Sequence, residues 1–97
     1  MFKIRFTNEA NDQFLILKQS NDKKVQFKAV GKALAYMNAN LRHPSLKTHK
    51  FDEMESPFGG DVFESYAQNK TPGAHRIFWA YGPGKAEITV LAITAHP

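Results

Sequence analysis

The chain has 97 residues, which suits a single domain, because two halves of this size would each be too small for a stable core without disulfides or metals. Hydrophobic residues make up 42% of it and aromatic residues 12%, which excludes an intrinsically disordered chain, and the absence of cysteine excludes disulfides and thiolate metal sites. The net charge of +4 is uneven: residues 1–50 hold ten Lys and Arg against three Asp and Glu, giving +7, and residues 51–97 hold three against six, giving −3.

This surplus of basic residues bears on the choice of partner. A basic chain favours a polyanion, because each phosphate that it neutralises releases counterions. The alternative is a basic protein whose charge only keeps it in solution. The stretch MFKIRFTNEA has no signal-peptide pattern, and no apolar run reaches the roughly 20 residues of a membrane-spanning helix. We therefore expect a soluble, cytoplasmic protein that does not bind membranes.

The first elements are a short strand and a short helix. Apolar and charged side chains alternate over residues 2–6, which is typical of a strand with one buried face. Thr7 or Asn8 can cap a helix over residues 9–19, where apolar side chains recur every three or four positions.

A longer amphipathic helix is predicted over residues 23–39. Its apolar stripe recurs at steps of three and four and consists of Phe27, Val30, Leu34, Met37 and Leu41. Three lysines repeat every four residues on another face, at Lys24, Lys28 and Lys32. We interpret them as a solvated face, with an acidic partner or nucleic acid as the alternative. The helix must end before Pro44, because proline disfavours helical geometry in the residue before it.

The second half of the chain predicts three strands joined by turns. Residues 62–67, 75–81 and 87–94 are rich in β-branched and aromatic side chains, and turns containing Pro-Gly or Gly-Pro separate them. The sequence therefore predicts one α+β domain over residues 1–97, of order β-α-α-β-β-β. Two N-terminal helices would pack on one face of a small, mainly antiparallel sheet.

Alternation along these strands assigns side chains to the two faces of the sheet. We expect the helix-facing set to be Phe63, Ile77, Trp79, Leu91 and Ile93. We expect the opposite set to be Glu64, Tyr66, Arg76, Phe78, Ala80, Val90, Ala92, Thr94 and, if the last strand continues, His96. A bulge or a slip of one residue would invert this assignment.

The opposite set has chemical content. The planar guanidinium of Arg76 matches phosphate oxygens, and His96 can transfer a proton at neutral pH. Glu64 can orient a cation or act as a base, and Tyr66 and Phe78 can stack on nucleobases. Further positive charge would come from Lys47, His49 and Lys50.

Structural interpretations compete with each of these roles. Arg76 can simply pair with Glu64 across adjacent strands, and we interpret His43 and His75 as structural residues. His96 lies next to the last residue, where fraying is common. No pair of histidines has the spacing of a known ligand motif, so we expect no metal site and no cofactor.

Four stretches now follow one another in order: HPSLKTHKF (43–51), GGDVFESYA (59–67), AHRIFWAYG (74–82) and ITVLAITAHP (88–97). They resemble the RelE/ParE toxin superfamily of type II toxin–antitoxin systems. Members of that family run from a helix end through "hpsLk.hkL" into a glycine, then "vwelr" and "yRi.Y". The resemblance covers nearly the whole chain.

The resemblance implies a toxin that a co-expressed acidic antitoxin wraps and neutralises, as a homodimer or a toxin–antitoxin hetero-oligomer. RelE-like members cleave mRNA on the ribosome: the ribose 2′-hydroxyl attacks the adjacent phosphate and leaves a 2′,3′-cyclic phosphate. By motif, Arg76 matches the arginine that contacts the scissile phosphate, and His96 matches a general-acid histidine. Glu64 lies near a general-base position. Basic groups for RNA binding would be Lys47, His49 and Lys50.

Two other functions stay open at this point. A ParE-like member would inhibit DNA gyrase without phosphodiester chemistry, and an inactive member would only bind partners. His96, His49 and Glu64 favour RNA cleavage, because the gyrase-inhibiting branch usually lacks such residues. The negative charges of Glu53, Glu55 and Asp61 lie where RNA should approach.

Overall fold

The computed structural model describes residues 1–96. Its helices and strands are β1 (Lys3–Phe6), α1 (Asn8–Gln19), α2 (Lys24–Ala39), β2 (His49–Lys50), β3 (Val62–Tyr66), β4 (His75–Tyr81) and β5 (Glu87–Ala95). The sheet has the order β1-β5-β4-β3-β2, in which β1 runs parallel to β5 and every other pair is antiparallel. The predicted α+β architecture is confirmed. Within residues 1–96, neither helix is long and apolar enough to cross a bilayer.

Side chains of the first helix tie it to the last strand. The Thr7 hydroxyl accepts a hydrogen bond from the Ala10 backbone N–H at 3.1 Å, which caps α1 as predicted, and donates to the Leu91 carbonyl. The Gln13 side-chain oxygen accepts from the Ile93 backbone N–H at 2.6 Å. Because β1 pairs with β5 only as far as Val90, these bonds satisfy the part of the β5 edge that β1 leaves uncovered.

The main core lies between the two helices and one side of the sheet, here called the helix face. Its buried members include Ala10, Leu17, Val30, Met37, Leu46, Ile77, Trp79, Ile88 and Val90. Phe14 joins the two helices to β1, since its ring lies 5.9 Å from the ring of Phe6 and 5.2 Å from that of Phe27. Burial of the apolar stripe on α2 explains why this helix forms despite a glycine at position 31.

A chain of polar groups crosses the core beside Trp79. The indole N–H of Trp79 donates to the Ser65 hydroxyl at 2.8 Å, and the Ser65 and Thr48 hydroxyls are 2.7 Å apart. Trp79 and Ser65 are fully buried. A buried N–H needs a partner, so Ser65 fixes the rotamer of the largest side chain in the core.

We expect Ser65→Ala to lower the free energy of unfolding by about 1–3 kcal/mol, because it leaves the buried Trp79 N–H without an acceptor. Urea unfolding followed by the fluorescence of Trp79, the only tryptophan, measures this loss. Ser65→Thr keeps the hydroxyl. It therefore tests whether the loss of stability comes from the missing acceptor or from a change in side-chain volume. Wild-type stability for Ser65→Ala would contradict the assignment.

The prediction for the N-terminal half of the last strand is wrong. Val90 was expected to point away from the helices, yet it lies in the main core, and Leu91 packs on the other side of the sheet. The cause is a β-bulge: Phe78 pairs with Ala92 and Trp79 pairs with Val90, so one residue of β5 has no partner. Beyond the bulge the predicted alternation holds, and Ile93 lies in the core.

The opposite side of the sheet, here called the open face, is partly covered by the loop that joins β2 to β3. Phe51 and Met54 of this loop pack on Val62, Ala80, Phe78 and Leu91. At the far end of the loop, Phe58 lies against Gly82, where an added Cβ would come within 2.9 Å of the Phe58 ring. The loop is therefore docked on the sheet.

His75 makes the fold sensitive to acid. Burial lowers the pKa of this histidine below its ordinary 6.5, the nearby positive charge of Lys23 lowers it further, and a hydrogen bond with the Gly73 backbone acts in the opposite direction. A lowered pKa in the folded state means that the unfolded chain binds the proton more tightly. The stabilising contribution is therefore complete above pH 6.5 and is lost as the pH falls below it.

We expect the free energy of unfolding of the wild type to fall as the pH is lowered from 6.5 and the fall to be smaller in His75→Gln. Urea unfolding at pH 7.5, 6.5 and 5.5 measures the difference between the two proteins. The exposed Lys24→Gln change is a control that removes no titration in this range. Equal pH dependence in His75→Gln and the wild type would contradict the role of His75.

Candidate functional site

A pocket of about 210 Å³ opens on the uncovered part of the open face. Its walls are formed by Phe51, Glu53, Glu64, Arg76, Phe78, Thr94, Ala95 and His96. We call it the Arg76 pocket. All three predicted catalytic residues, Glu64, Arg76 and His96, thus lie around one space on the side of the sheet away from the helices.

Strand register explains this meeting. Arg76 of β4 lies directly between Tyr66 of β3 and Thr94 of β5, so the three side chains share one face. Glu64 lies two residues before Tyr66 and therefore points to the same face. His96 follows β5, where its backbone N–H donates to the Ala74 carbonyl at 2.7 Å and so holds the end of the chain beside β4.

Arg76 is buried, with 6% of its surface exposed, and its guanidinium is held on several sides. Its Nη1 donates to the Gln68 carbonyl, and its central carbon lies 3.7 Å from the centre of the Tyr66 ring. Its Nε lies 3.5 Å from Glu64 Oε2, so the predicted cross-strand ion pair is present. That distance is too long for a good hydrogen bond, and the buried Nε–H has no hydrogen-bond partner within residues 1–96.

Glu64 also contacts a histidine. Glu64 Oε1 lies 2.8 Å from His49 Nε2, and His49 Nδ1 lies 3.0 Å from the Lys47 carbonyl. A carbonyl only accepts, so Nδ1 must carry a proton. Either Nε2 carries one too and donates to a Glu64 carboxylate, or it accepts from a protonated Glu64. The two side chains therefore share a proton, and His49, with about half of its side chain exposed, connects it to solvent.

The other predicted site residues differ in whether they line the Arg76 pocket. Phe78 lines it but is half-buried, because the Phe51 ring packs on it at 4.7 Å. Tyr66 contacts Arg76 on its ring face and His49 edge-on at 5.8 Å. Lys50 forms an exposed ion pair with Asp61 at 3.2 Å. Lys47 lines another pocket, on the other side of the sheet.

Three residues that line this pocket were not predicted as site residues from the sequence: Ala95 at the end of β5, Phe51 and Glu53. Phe51 and Glu53 belong to the loop between β2 and β3, whose position depends on contacts distant in sequence. The signal that could have found them is the presence of Phe51, Met54 and Phe58 in an otherwise polar loop, since apolar side chains at such spacing indicate a docked segment. Within residues 1–96 no three His, Asp or Glu side chains converge as a set of metal ligands.

Comparison with solved structures places this fold among known ones. No protein-family model matches the sequence. No curated protein matches it either. The YoeB/ParE toxin from Agrobacterium tumefaciens has a TM-score of 0.69 and 9% identity, over 99% of this chain and 100% of that one. The YoeB dimer from Staphylococcus aureus has a TM-score of 0.65 and 17% identity, over 99% and 98%.

YafQ from E. coli strain BL21(DE3) has a TM-score of 0.65 and 12% identity, over 99% of this chain and 94% of that one. All three likenesses run over nearly the full length of both chains, so the whole domain, and not one motif, is shared. This chain therefore has the fold of the RelE/ParE-like toxins.

Proposed function

We propose that the protein is the toxin of a type II toxin–antitoxin system and an endoribonuclease that cleaves mRNA on the ribosome. The observation that carries the proposal is the Arg76 pocket, where a buried guanidinium, a carboxylate and an imidazole lie around one space. Such a set can bind a phosphodiester, take a proton from one oxygen and return a proton to another.

Each group has one step in this reaction. Glu64 takes the proton from the ribose 2′-hydroxyl, whose oxygen then attacks the adjacent phosphorus. Arg76 donates hydrogen bonds to the phosphate oxygens, on which negative charge accumulates in the transition state. His96 gives a proton to the departing 5′-oxygen as the P–O bond breaks. The products are a 2′,3′-cyclic phosphate and a free 5′-hydroxyl, and no cofactor takes part in this scheme.

Neighbouring residues prepare these groups. Arg76 and His49 contact opposite oxygens of Glu64, so they hold the carboxylate in one orientation. When Glu64 is the ionised base, His49 Nε2–H donates to its Oε1 and stabilises the negative charge. The Tyr66 ring packs against the guanidinium of Arg76, and Phe78 gives the pocket an apolar wall for a nucleobase.

Partners follow from the same proposal. The basic surface would meet the ribosomal RNA around the mRNA, and an acidic antitoxin would cover it when the toxin is silent. The Staphylococcus aureus relative is a dimer, and we propose that this chain also forms a homodimer or a toxin–antitoxin hetero-oligomer in the cytoplasm.

A second candidate is a binding module with this fold and no catalysis. Glu53 places a carboxylate in the wall of the pocket, and the depth at which Arg76 is buried limits how much of it a substrate can reach. Both features oppose binding of an RNA phosphate. We propose cleavage over this alternative because a guanidinium, a carboxylate and an imidazole lie around one space, which is the set of groups that phosphodiester cleavage needs and that binding alone does not.

The test is to express the wild type and an Arg76→Ala, His96→Ala variant and to map the 5′ ends of cellular mRNA. Cuts near the ribosomal A site that vanish in the variant, with 2′,3′-cyclic phosphate ends, are the expected result. Loss of DNA gyrase supercoiling without RNA cuts would instead assign the protein to gyrase inhibition. Neither effect, with no growth arrest, would leave the binding module.

A further inference from the structure

A second and larger pocket lies on the helix face, where α2 ends beside β4. Its volume is about 380 Å³, within the range of about 300–1,000 Å³ that is usual for small-ligand sites. Its lining includes Arg42, His43, Lys47, Thr48, Trp79 and Tyr81. We call it the Tyr81 pocket. None of its lining residues lines the Arg76 pocket.

Two cationic side chains of this pocket are available to bind a ligand. Arg42 and Lys47 are both exposed, and neither side chain forms an ion pair with any of residues 1–96. By contrast, Lys50, three residues further along, pairs with Asp61. Two unpaired cations at the mouth of one cavity favour an anionic ligand.

The aromatic side chains of the Tyr81 pocket indicate which class of anionic ligand it binds. Tyr81 is half exposed, and its buried side is fixed by the rings of Phe2, Phe63 and Trp79 at 6.1, 5.6 and 5.1 Å. The His43 ring is equally fixed, since it stacks on Tyr36 with 3.8 Å between ring centres. Rigid aromatic surfaces beside cations suit a nucleobase joined to a phosphate better than an acidic peptide, which has no planar group to stack.

The two pockets meet at one segment of chain. Lys47 and Thr48 line the Tyr81 pocket, and the next residue, His49, bonds to Glu64 in the wall of the Arg76 pocket. This segment lies at the β2 edge of the sheet, where no further strand follows. A single RNA strand that passes round this edge would reach both pockets.

We infer that the Tyr81 pocket binds a second nucleotide of the RNA strand that is cleaved in the Arg76 pocket. This nucleotide flanks the cleaved one. This inference rests on the proposed nuclease function and gives it a second contact with substrate. The phosphate would lie between Arg42 and Lys47, and the base would stack on Tyr81.

The backbone conformation at Lys47 bears on which substitution tests its side chain. Lys47 has φ 47° and ψ 40°, the left-handed region that glycine adopts at less cost than other residues. Lys70 and Ala86 also have positive φ, so this conformation does not by itself mark a functional residue, but it makes glycine the substitution that strains the backbone least at position 47. Lys47→Gly therefore removes the charge while it relieves the backbone, which separates a binding defect from a folding defect.

The experiment titrates a single-stranded RNA hexanucleotide, with 2′-O-methyl riboses that cannot attack, into the full chain. The indole N–H resonance of Trp79 reports on the pocket directly, because the chain has only one tryptophan and Thr48 links that N–H to the pocket wall. The affinity is measured in parallel at several salt concentrations. The variants are Arg42→Gln with Lys47→Gln, and Lys47→Gly alone.

We expect the hexanucleotide to shift the Trp79 resonance in the wild type and not in the double variant. The slope of log affinity against log salt should fall by about 0.7 in the double variant, since Arg42 and Lys47 neutralise one phosphate and each phosphate neutralised on a single strand contributes about 0.7. Lys24→Gln with Lys28→Gln removes the same charge from the exposed face of α2 and should leave the slope and the Trp79 shift unchanged.

Three results would overturn the inference. One is an equal Trp79 shift in the wild type and the double variant, and another is an equal loss of salt dependence in the α2 control. The third is a shift caused by poly-glutamate but not by RNA, which would assign the pocket to an acidic protein segment.

The Arg76→Lys variant separates this inference from the proposed nuclease function. If it cleaves no mRNA but binds the hexanucleotide like the wild type, both sites are supported. If the wild type binds RNA but cleaves no mRNA, only the nuclease function is refuted.

Discussion

Arg76→Lys should lower the rate of mRNA cleavage about 100- to 1,000-fold, the usual cost of removing one donor that stabilises transition-state charge. Lysine keeps the positive charge near Glu64 but lacks the planar fork of donors that matches phosphate oxygens. Arg76→Ala should lower the rate at least as much. It should also cost about 3 kcal/mol of folding free energy, because it leaves Glu64 buried with His49 as its main partner.

These two variants separate chemistry from folding. Cleavage is measured by primer extension on a translated mRNA, and stability by urea unfolding of the same protein. Arg5→Lys is the matched control, because Arg5 forms an exposed ion pair with Glu87 at the β1–β5 edge of the sheet. It should change neither quantity. Wild-type cleavage by a folded Arg76→Lys protein would remove Arg76 from the reaction.

Short-range patterns in the sequence predict the elements of this fold well. Alternation of period two identifies β1, β3 and β4, and the apolar stripe identifies α2, because each pattern is the direct result of burying one side of an element. The capping role of Thr7 follows from chemistry local to one turn. The strand β2, by contrast, has only two residues, too few for any alternation to appear.

Long-range features could not be predicted in the same way. Residues 88–93 of β5, ITVLAI, are almost all apolar, so either assignment of faces buries hydrophobic side chains, and only pairing with β4 reveals the bulge that exchanges Val90 and Leu91. The docking of Phe51 on Phe78 depends on a loop whose path no periodicity describes.

The same difference between short-range and long-range features applies to the candidate site. The meeting of Glu64, Arg76 and His96 was predicted, since it needs only the order of the strands and their alternation. The proton shared between Glu64 and His49 was not, because it depends on the pairing of β2 with β3. The Tyr81 pocket was not predicted either, because Arg42 and Lys47 lie between α2 and β2, Tyr81 ends β4, and these two parts of the chain meet only after folding.

His96→Ala should lower cleavage of ordinary RNA about 100- to 10,000-fold, the range that general acids contribute. It should regain most of that loss on RNA whose scissile 5′-oxygen is replaced by sulfur, because a thiolate leaves without a proton. Glu64→Gln should lose activity on both substrates, since the 2′-hydroxyl must still be deprotonated. Urea unfolding of His96→Ala measures whether any of the loss of cleavage comes from a loss of folding. Equal defects of His96→Ala on the two substrates would show that its imidazole positions RNA and does not protonate the leaving group.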